Sequence, residues 1–160
     1  MTKFRAARAI LGLISDTHGL LRPEALTALE GCDLILHAGD VGKLEILDKL
    51  RQIAPVTAIR GNIDKGSPLP MTAVVEAHGA LIYMLHDLQE LDRDPIAAGF
   101  DIVVSGHSHK PGQSERAGIL YVNPGSAGPR RFRLPITVAR LDLQLRPWQV
   151  EFVALTPAVL

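Results

Sequence analysis

The sequence predicts an α/β protein in which two β-sheets pack face to face with helices outside. Three observations carry that expectation. The first half alternates short apolar runs with helical patterns in the order β-α-β-α-β. Beyond Pro68 the chain reads mostly as strands. The composition is globular: of 160 residues, 47% are hydrophobic and 21% charged, which suits a single domain over 1–160 with a sizeable core.

Residues 1–8 read as a disordered lead. The opening "MTKFRAARAILGLISD" resembles a signal peptide, with basic residues before apolar ones. Its apolar stretch is short, however, and Asp16 arrives with no small-residue cleavage site. Residues 9–15 form the first strand. A helix over 23–30 follows, with Pro23 suited to its first turn and Gly31 ending it. Residues 32–36 make a second strand, and the stripe Leu44, Leu47, Leu50 and Ala54 marks a helix over 44–53. A third strand over 55–59 completes a parallel unit with right-handed crossovers. "MTAVVEAHGALIYMLHD" then reads as two strands turning at His78-Gly79. Helical stretches over 88–98, with a second start at Asp94-Pro95, lead to a buried strand over 100–104. "GILYVNPGSAG" and "PITVARLDLQLRPWQVEFVAL" supply further strands, with a turn at Arg146-Pro147.

Charge and cysteine usage narrow the partners. Lys plus Arg and Asp plus Glu both number 17, for a formal net charge of zero. That removes the broad basic field of a phosphate-tracking protein, so no stable nucleic-acid complex is expected. The single cysteine, Cys32, excludes an internal disulfide, fits a reducing compartment, and reads as a small buried residue. No segment has the length to span a bilayer. A cytoplasmic protein without a membrane partner is expected, and a homo-oligomer stays open.

The strand ends carry the chemistry. After "ILGLIS" come Asp16 and His18; after "LILHA", Asp40; after "VTAIR", Asn62; after "LIYML", His86; after "DIVVS", His107 and His109. Taken singly, "GD" and "GN" read as ordinary turn dipeptides, and a lone histidine reads as a core or surface residue. Independent turns have no reason to gather metal-binding side chains at five strand ends, where loops of a parallel sheet converge. Seven donors exceed the set for one transition ion and fit two divalent ions about 3.5–4 Å apart sharing a carboxylate. Oxygen and imidazole donors without thiolate admit manganese, iron, zinc, nickel or cobalt. Gly39, Gly61 and Gly106 each precede a donor, where a missing side chain permits close approach, as it also would in a plain turn. Two divalent ions against two carboxylates and a hydroxide leave a cationic pocket, which points to a phosphate-bearing substrate.

The ordered blocks "LISDTHG", "LHAGD", "IRGNID", "GHSHKP" and "YVNPGSAGPR" resemble the calcineurin-like metallophosphoesterases. Within that family they are most similar to the small YfcE-type bacterial and archaeal phosphodiesterases, relatives of the retromer subunit Vps29. The resemblance implies a four-layer α-β-β-α sandwich of two packed mixed sheets flanked by helices. It implies one ion on Asp16, His18, Asp40 and His109, and another on Asp40, Asn62, His86 and His107, with Asp40 bridging and manganese favoured. It implies a small phosphoester substrate and in-line attack on a phosphodiester by a metal-bound hydroxide, with Asp40, Asn62 and His86 in the catalytic set and no further cofactor. A phosphomonoesterase, or a Vps29-like binding scaffold with a vestigial metal site, is the alternative.

The chain departs from the family in two places. Ile63 occupies the position after the "GN" asparagine where larger members carry a histidine, so no proton donor is available there. Asp87 follows His86 where relatives often have glycine, and is expected to orient an imidazole or occupy substrate space. His37 is expected to pack or support a ligand, and Asp64 either to accept backbone N–H groups or to stand as a solvated turn residue. Asn123 to Ser126 read as a structural turn beneath the site. "PRRFR" at 129–133 is the dense basic cluster, read as a solvated loop or a gatherer of anions. Trp148, Val150, Phe152 and Leu155 read as one packed face of a last strand.

Overall fold

The computed structural model describes residues 2–155 apart from 5–8. Two mixed sheets form the centre. One runs β11 (Val150–Ala154), β10 (Thr137–Asp142), β2 (Ile10–Ile14), β3 (Leu34–His37) and β4 (Val56–Ala58). The other runs β1 (Thr2–Phe4), β5 (Thr72–Ala77), β6 (Ala80–Leu85), β7 (Ile102–Val104), β9 (Ile119–Asn123) and β8 (Gly112–Arg116). β2, β3 and β4 are parallel neighbours, as are β6, β7 and β9. β5 and β6 form the expected hairpin, with His78 exposed at φ 51° in its turn.

Three apolar layers separate four structural ones. Leu11, Leu13, Leu36, Ile82, Met84, Ile102 and Val104 meet between the sheets. Strand alternation sends Ile14, Ile35 and Val138 to the opposite face, where they pack under α1 (Pro23–Ala28) and α2 (Glu45–Arg51) through Leu29, Ile46, Leu47 and Leu50. Tyr83, Leu85 and Val103 face outward from the other sheet, against Leu88, Leu91 and Ala98 on a short turn and α3 (Pro95–Ala98). This is the expected α-β-β-α sandwich. Truncating a fully buried leucine such as Leu13 in such a core costs about 2–5 kcal/mol.

Two expectations are corrected and one strand is added. Within the lead expected over 1–8, Thr2–Phe4 pair in parallel with Val75–Ala77, while residues 5–8 lie outside the described residues. β8 is an added edge strand; all five of its residues are exposed, so the hydrophobic pattern carries no trace of it. Trp148, Val150 and Phe152 do pack on the inter-sheet core, but Leu155 packs on the helical side. Cys32 is buried beside Arg140, and burial pushes its thiol up to about 11. Among the described residues no helix is long and apolar enough to cross a membrane.

Candidate metal centre

The carboxyl ends of β2, β3 and β4 in one sheet and of β6 and β7 in the other open onto one place. The loop after β2 is bound along the loop after β3: Asp16 N–H donates to the Gly39 carbonyl (3.0 Å) and His18 N–H to that of Asp40 (2.9 Å). Gly106 N–H donates to the His86 carbonyl (2.9 Å), joining the loops of the second sheet. Asp16, His18, Asp40, His107 and His109 all have φ between 48° and 69°. Such left-handed backbone costs about 1–3 kcal/mol per non-glycine residue and collects where function demands it.

The side chains converge. Asp16 Oδ1 lies 3.4 Å from His109 Nε2, 3.7 Å from His18 Nε2 and 3.8 Å from His86 Nε2. Asp40 Oδ2 lies 3.5 Å from His18 Nε2 and 3.3 Å from His86 Nε2. Asp16 Oδ1, His18 Nε2 and His86 Nε2 are buried with no hydrogen-bond partner. These separations exceed a good hydrogen bond. They approach the roughly 3.0–3.5 Å between atoms that share one ion at about 2.1 Å. Two groups, Asp16 with His18 and His109, and Asp16 with Asp40 and His86, each offer ligand atoms within 4.8 Å of one another. Oxygen and nitrogen donors so placed fit a divalent transition metal.

The atoms of Asp16, Asp40 and His86 that face away are engaged, whereas the far nitrogen of His109, Nδ1, is buried without a partner. Asp16 Oδ2 accepts from the Ser15 hydroxyl (2.6 Å) and from His107 N–H (3.1 Å), leaving Oδ1 free. Asp40 Oδ1 accepts Ile63 N–H at 3.1 Å, leaving Oδ2 free. His86 Nδ1–H donates to the Ala38 carbonyl at 2.7 Å, which turns the unpartnered Nε2 inward. Burial opposes the Asp16 charge, but the facing His109 and His18 imidazoles and the Ser15 hydroxyl outweigh it and hold its pKa well below the usual carboxylate range. Burial likewise opposes protonation of His86, yet Asp40, the Ala38 carbonyl and Asp16 raise its pKa to about 9. Asp16 and Asp40 raise that of His18. The pocket is built to hold positive charge.

The glycines expected to permit close approach do so against neighbouring donors. A Cβ on Gly61 would overlap the Asp40 carboxylate, one on Gly106 would overlap Ser15 and lie 2.6 Å from Asp16 Oδ2, and one on Gly39 would lie 2.6 Å from His86 Nδ1. Asp64 resolves as the buried clamp, accepting N–H bonds from Val41, Gly42 and Gly61 at 2.9–3.0 Å. It ties the Asp40 loop to the Asn62 loop. His37 is fully buried and held neutral: Nδ1 accepts Gly39 N–H and Nε2–H donates to the Thr17 hydroxyl, which itself donates to Val41. Burial lowers its pKa to about 4. Asn123 donates to the Gly106 carbonyl, and Ser126 Oγ to that of Asp16, so that turn is structural.

Two of the seven expected donors stand apart. Asn62 and His107 are exposed; Asn62 Nδ2 lies 3.3 Å from His107 Nδ1, and His107 Nε2 lies 3.7 Å from Asp87 Oδ2. Asp87 Oδ1 meanwhile accepts Gln89 N–H. Asp87 therefore both faces an imidazole and ends the loop after β6. Sequence reasoning passed over Ser15, whose one available signal is a hydroxyl directly before Asp16.

A cluster of carboxylates and imidazoles at the strand ends of a two-sheet sandwich places the chain among folds with a candidate centre for divalent metal. The chain belongs to the calcineurin-like phosphoesterase superfamily, whose domain model matches residues 10–146. A probable metallophosphoesterase of Methanothermobacter thermautotrophicus is 34% identical over 148 residues, covering 83% of this chain and 86% of its own. Among solved structures, an archaeal phosphodiesterase superposes with a TM-score of 0.73 at 22% identity, covering 90% of this chain and 99% of its own. Vacuolar protein sorting 29 from Cryptosporidium parvum does so with a TM-score of 0.71 at 22% identity, covering 91% and 97%. The chain is a metallophosphoesterase-family protein with candidate sites for divalent metal.

Proposed function

We propose that the chain is a phosphodiesterase that works with two divalent ions. The convergence of the unpartnered Asp16 Oδ1, His18 Nε2 and His86 Nε2 carries this reading. Asp16, His18, Asp40 and His109 would hold one ion, and Asp40, Asn62, His86 and His107 the other, with manganese the favoured metal and iron, nickel, zinc or cobalt compatible with the donors. Bound ions would supply Lewis acidity toward phosphoryl oxygens and lower the pKa of water.

The chain's own residues set the rest. Asp16 and Asp40 concentrate negative charge so that cations, and through them a phosphate, are drawn to one place. The glycines keep side chains out from between the loops, and Ser15, Ile63 N–H and the Ala38 carbonyl fix the orientation of the donors. Ile63 offers Asp40 only its backbone N–H, and the residue is 51% exposed. No proton reaches a leaving group from that position, which favours substrates with good leaving groups. A diester is preferred because two cavities border the cluster. One of about 1100 Å³ is edged by His107, and one of about 780 Å³ by Asn62 and His86. They give room for two ester arms, where a monoester has one.

The test is turnover of bis(4-nitrophenyl) phosphate and 4-nitrophenyl phosphate after chelation, with and without added Mn²⁺ or Ni²⁺. Diester hydrolysis that disappears with chelator and returns with metal is the expected result. Faster monoester turnover would transfer the reading to a phosphomonoesterase. Metal binding with neither ester cleaved would leave a scaffold like Vps29.

A further inference from the structure

Phe132 is 88% exposed and sits at φ 54°. A large aromatic side chain gains nothing from water, and left-handed backbone is costly for it, so neither packing nor local conformation accounts for its placement. With Arg131, Arg133 and Lys110 it lines the open cavity of about 1100 Å³ whose edge is His107. None of the three cations forms an ion pair among the described residues. Arg131 is near enough for its charge to act on His18. The other cavity differs in kind. Its aromatic residue, Tyr83, is buried and stacked on Phe100 at 4.6 Å, and three carboxylates, Asp87, Glu90 and Asp92, line it, where the cavity beside His107 has none.

We propose that the cavity beside His107 binds a small nucleotide, with Phe132 stacked on a base and Arg131, Arg133 and Lys110 holding a phosphate other than the one being cleaved. Each part follows from general chemistry. Any base presents a π-face to an exposed aromatic ring, which makes stacking tolerant of sequence. Guanidinium groups match phosphate oxygens in pairs. The basic patch is local in a chain of zero net charge, which fits a short ligand and not a polymer tracked along its backbone. As a substrate, such a ligand would be a phosphodiester already carrying a second phosphate. Cleavage of that ligand rests on the phosphodiesterase reading; its binding rests on the cavity.

The experiment uses the full-length, metal-loaded protein and a 5′-phosphorylated dithymidylate whose bridging ester oxygen is replaced by methylene, with the unphosphorylated analogue alongside. Calorimetry should show tighter binding of the phosphorylated form. Phe132→Ala should weaken both analogues roughly tenfold, and Phe132→Trp should restore them. Arg131→Ala combined with Arg133→Ala should weaken the phosphorylated analogue about tenfold and the other far less. In the Phe132→Ala variant and an Arg133→Ala variant, kcat on methyl 4-nitrophenyl phosphate should stay within about twofold of wild type. No binding by the wild-type protein, unchanged binding in both variants, or a matching fall in kcat would overturn the proposal. Binding with the expected variant pattern in a protein that cleaves no diester would sustain this inference and remove the phosphodiesterase reading. Diester cleavage with variants that bind like wild type would do the reverse.

Discussion

The donor set divides into a buried part and an exposed one. Asp16, Asp40, His86 and His109 are at most 6% exposed, and each loop carrying them is bound to another by backbone or carboxylate hydrogen bonds. Asn62 and His107 face solvent and touch each other, and His107 also faces Asp87. The difference teaches where organisation precedes ligand. The buried donors are enclosed by the fold, whereas the side chains of Asn62 and His107 face solvent, although the His107 backbone is itself fixed by its N–H bond to Asp16. Ligand side chains already in place let binding proceed without reorganisation.

The strongest way to break that comparison is Asp40→Asn, which removes charge from the carboxylate lying between His18 and His86. Turnover should fall by about 10²–10³ and metal content with it, read by diester assay and elemental analysis. Full metal occupancy with activity retained would show that Asp40 does not join the two halves. The comparison is sharpened by pairing His109→Ala with His107→Ala. Loss of the buried ligand should weaken the tighter metal step about 100-fold, and loss of the exposed one should weaken only the looser step, by about tenfold. Equal effects in a metal titration would erase the distinction.

A third prediction concerns the lock behind the buried half. His37 is neutral when folded, with a pKa of about 4 against 6.5 for a free imidazole. Between those values the unfolded chain binds a proton that the folded chain refuses, so stability is complete above about pH 6.5 and falls as pH drops toward 4. The raised pKa values of His18 and His86 act in the opposite sense and at higher pH, with stability lost as pH rises above about 6.5 and, for His86, through about 9. Asp16 acts below the window. The loss from His37 is on the order of 3 kcal/mol. Denaturant unfolding of His37→Gln should show a lower stability at pH 7 and a flatter slope from pH 6.5 to 4. An unchanged slope would mean that His37 is not the group responsible.

The smallest expected effect is at Ile63. Ile63→His places a proton donor at the exposed edge and should raise kcat a few-fold on a diester with an alkyl leaving group, with little change on an aryl one. No selective gain would show that leaving-group protonation does not limit the rate.

Much of this was legible along the chain because the signals are local. A strand at Ile10–Ile14 or Ile102–Val104 announces itself as a short apolar run, and α2 as the stripe Leu44, Leu47 and Leu50. Asp16, His18, Asp40, Asn62, His86, His107 and His109 were readable because each follows such a run directly. β8 was not legible, since five exposed residues join a sheet through backbone hydrogen bonds that leave no apolar pattern. Thr2–Phe4 was missed for a related reason: three residues are too few to show a period.

By itself, then, the sequence determined the order of elements and the kinds of side chain at their ends, because hydrophobic periodicity and turn chemistry act within a few residues. Only the tertiary structure decided which atoms face one another. It set Asp16 beside His109, separated five donors from two, turned Asp64 into a clamp and left Phe132 bare beside His107. Those outcomes depend on how two sheets stack and how distant loops bond, and the free energy of such packing is shared among residues far apart in the chain.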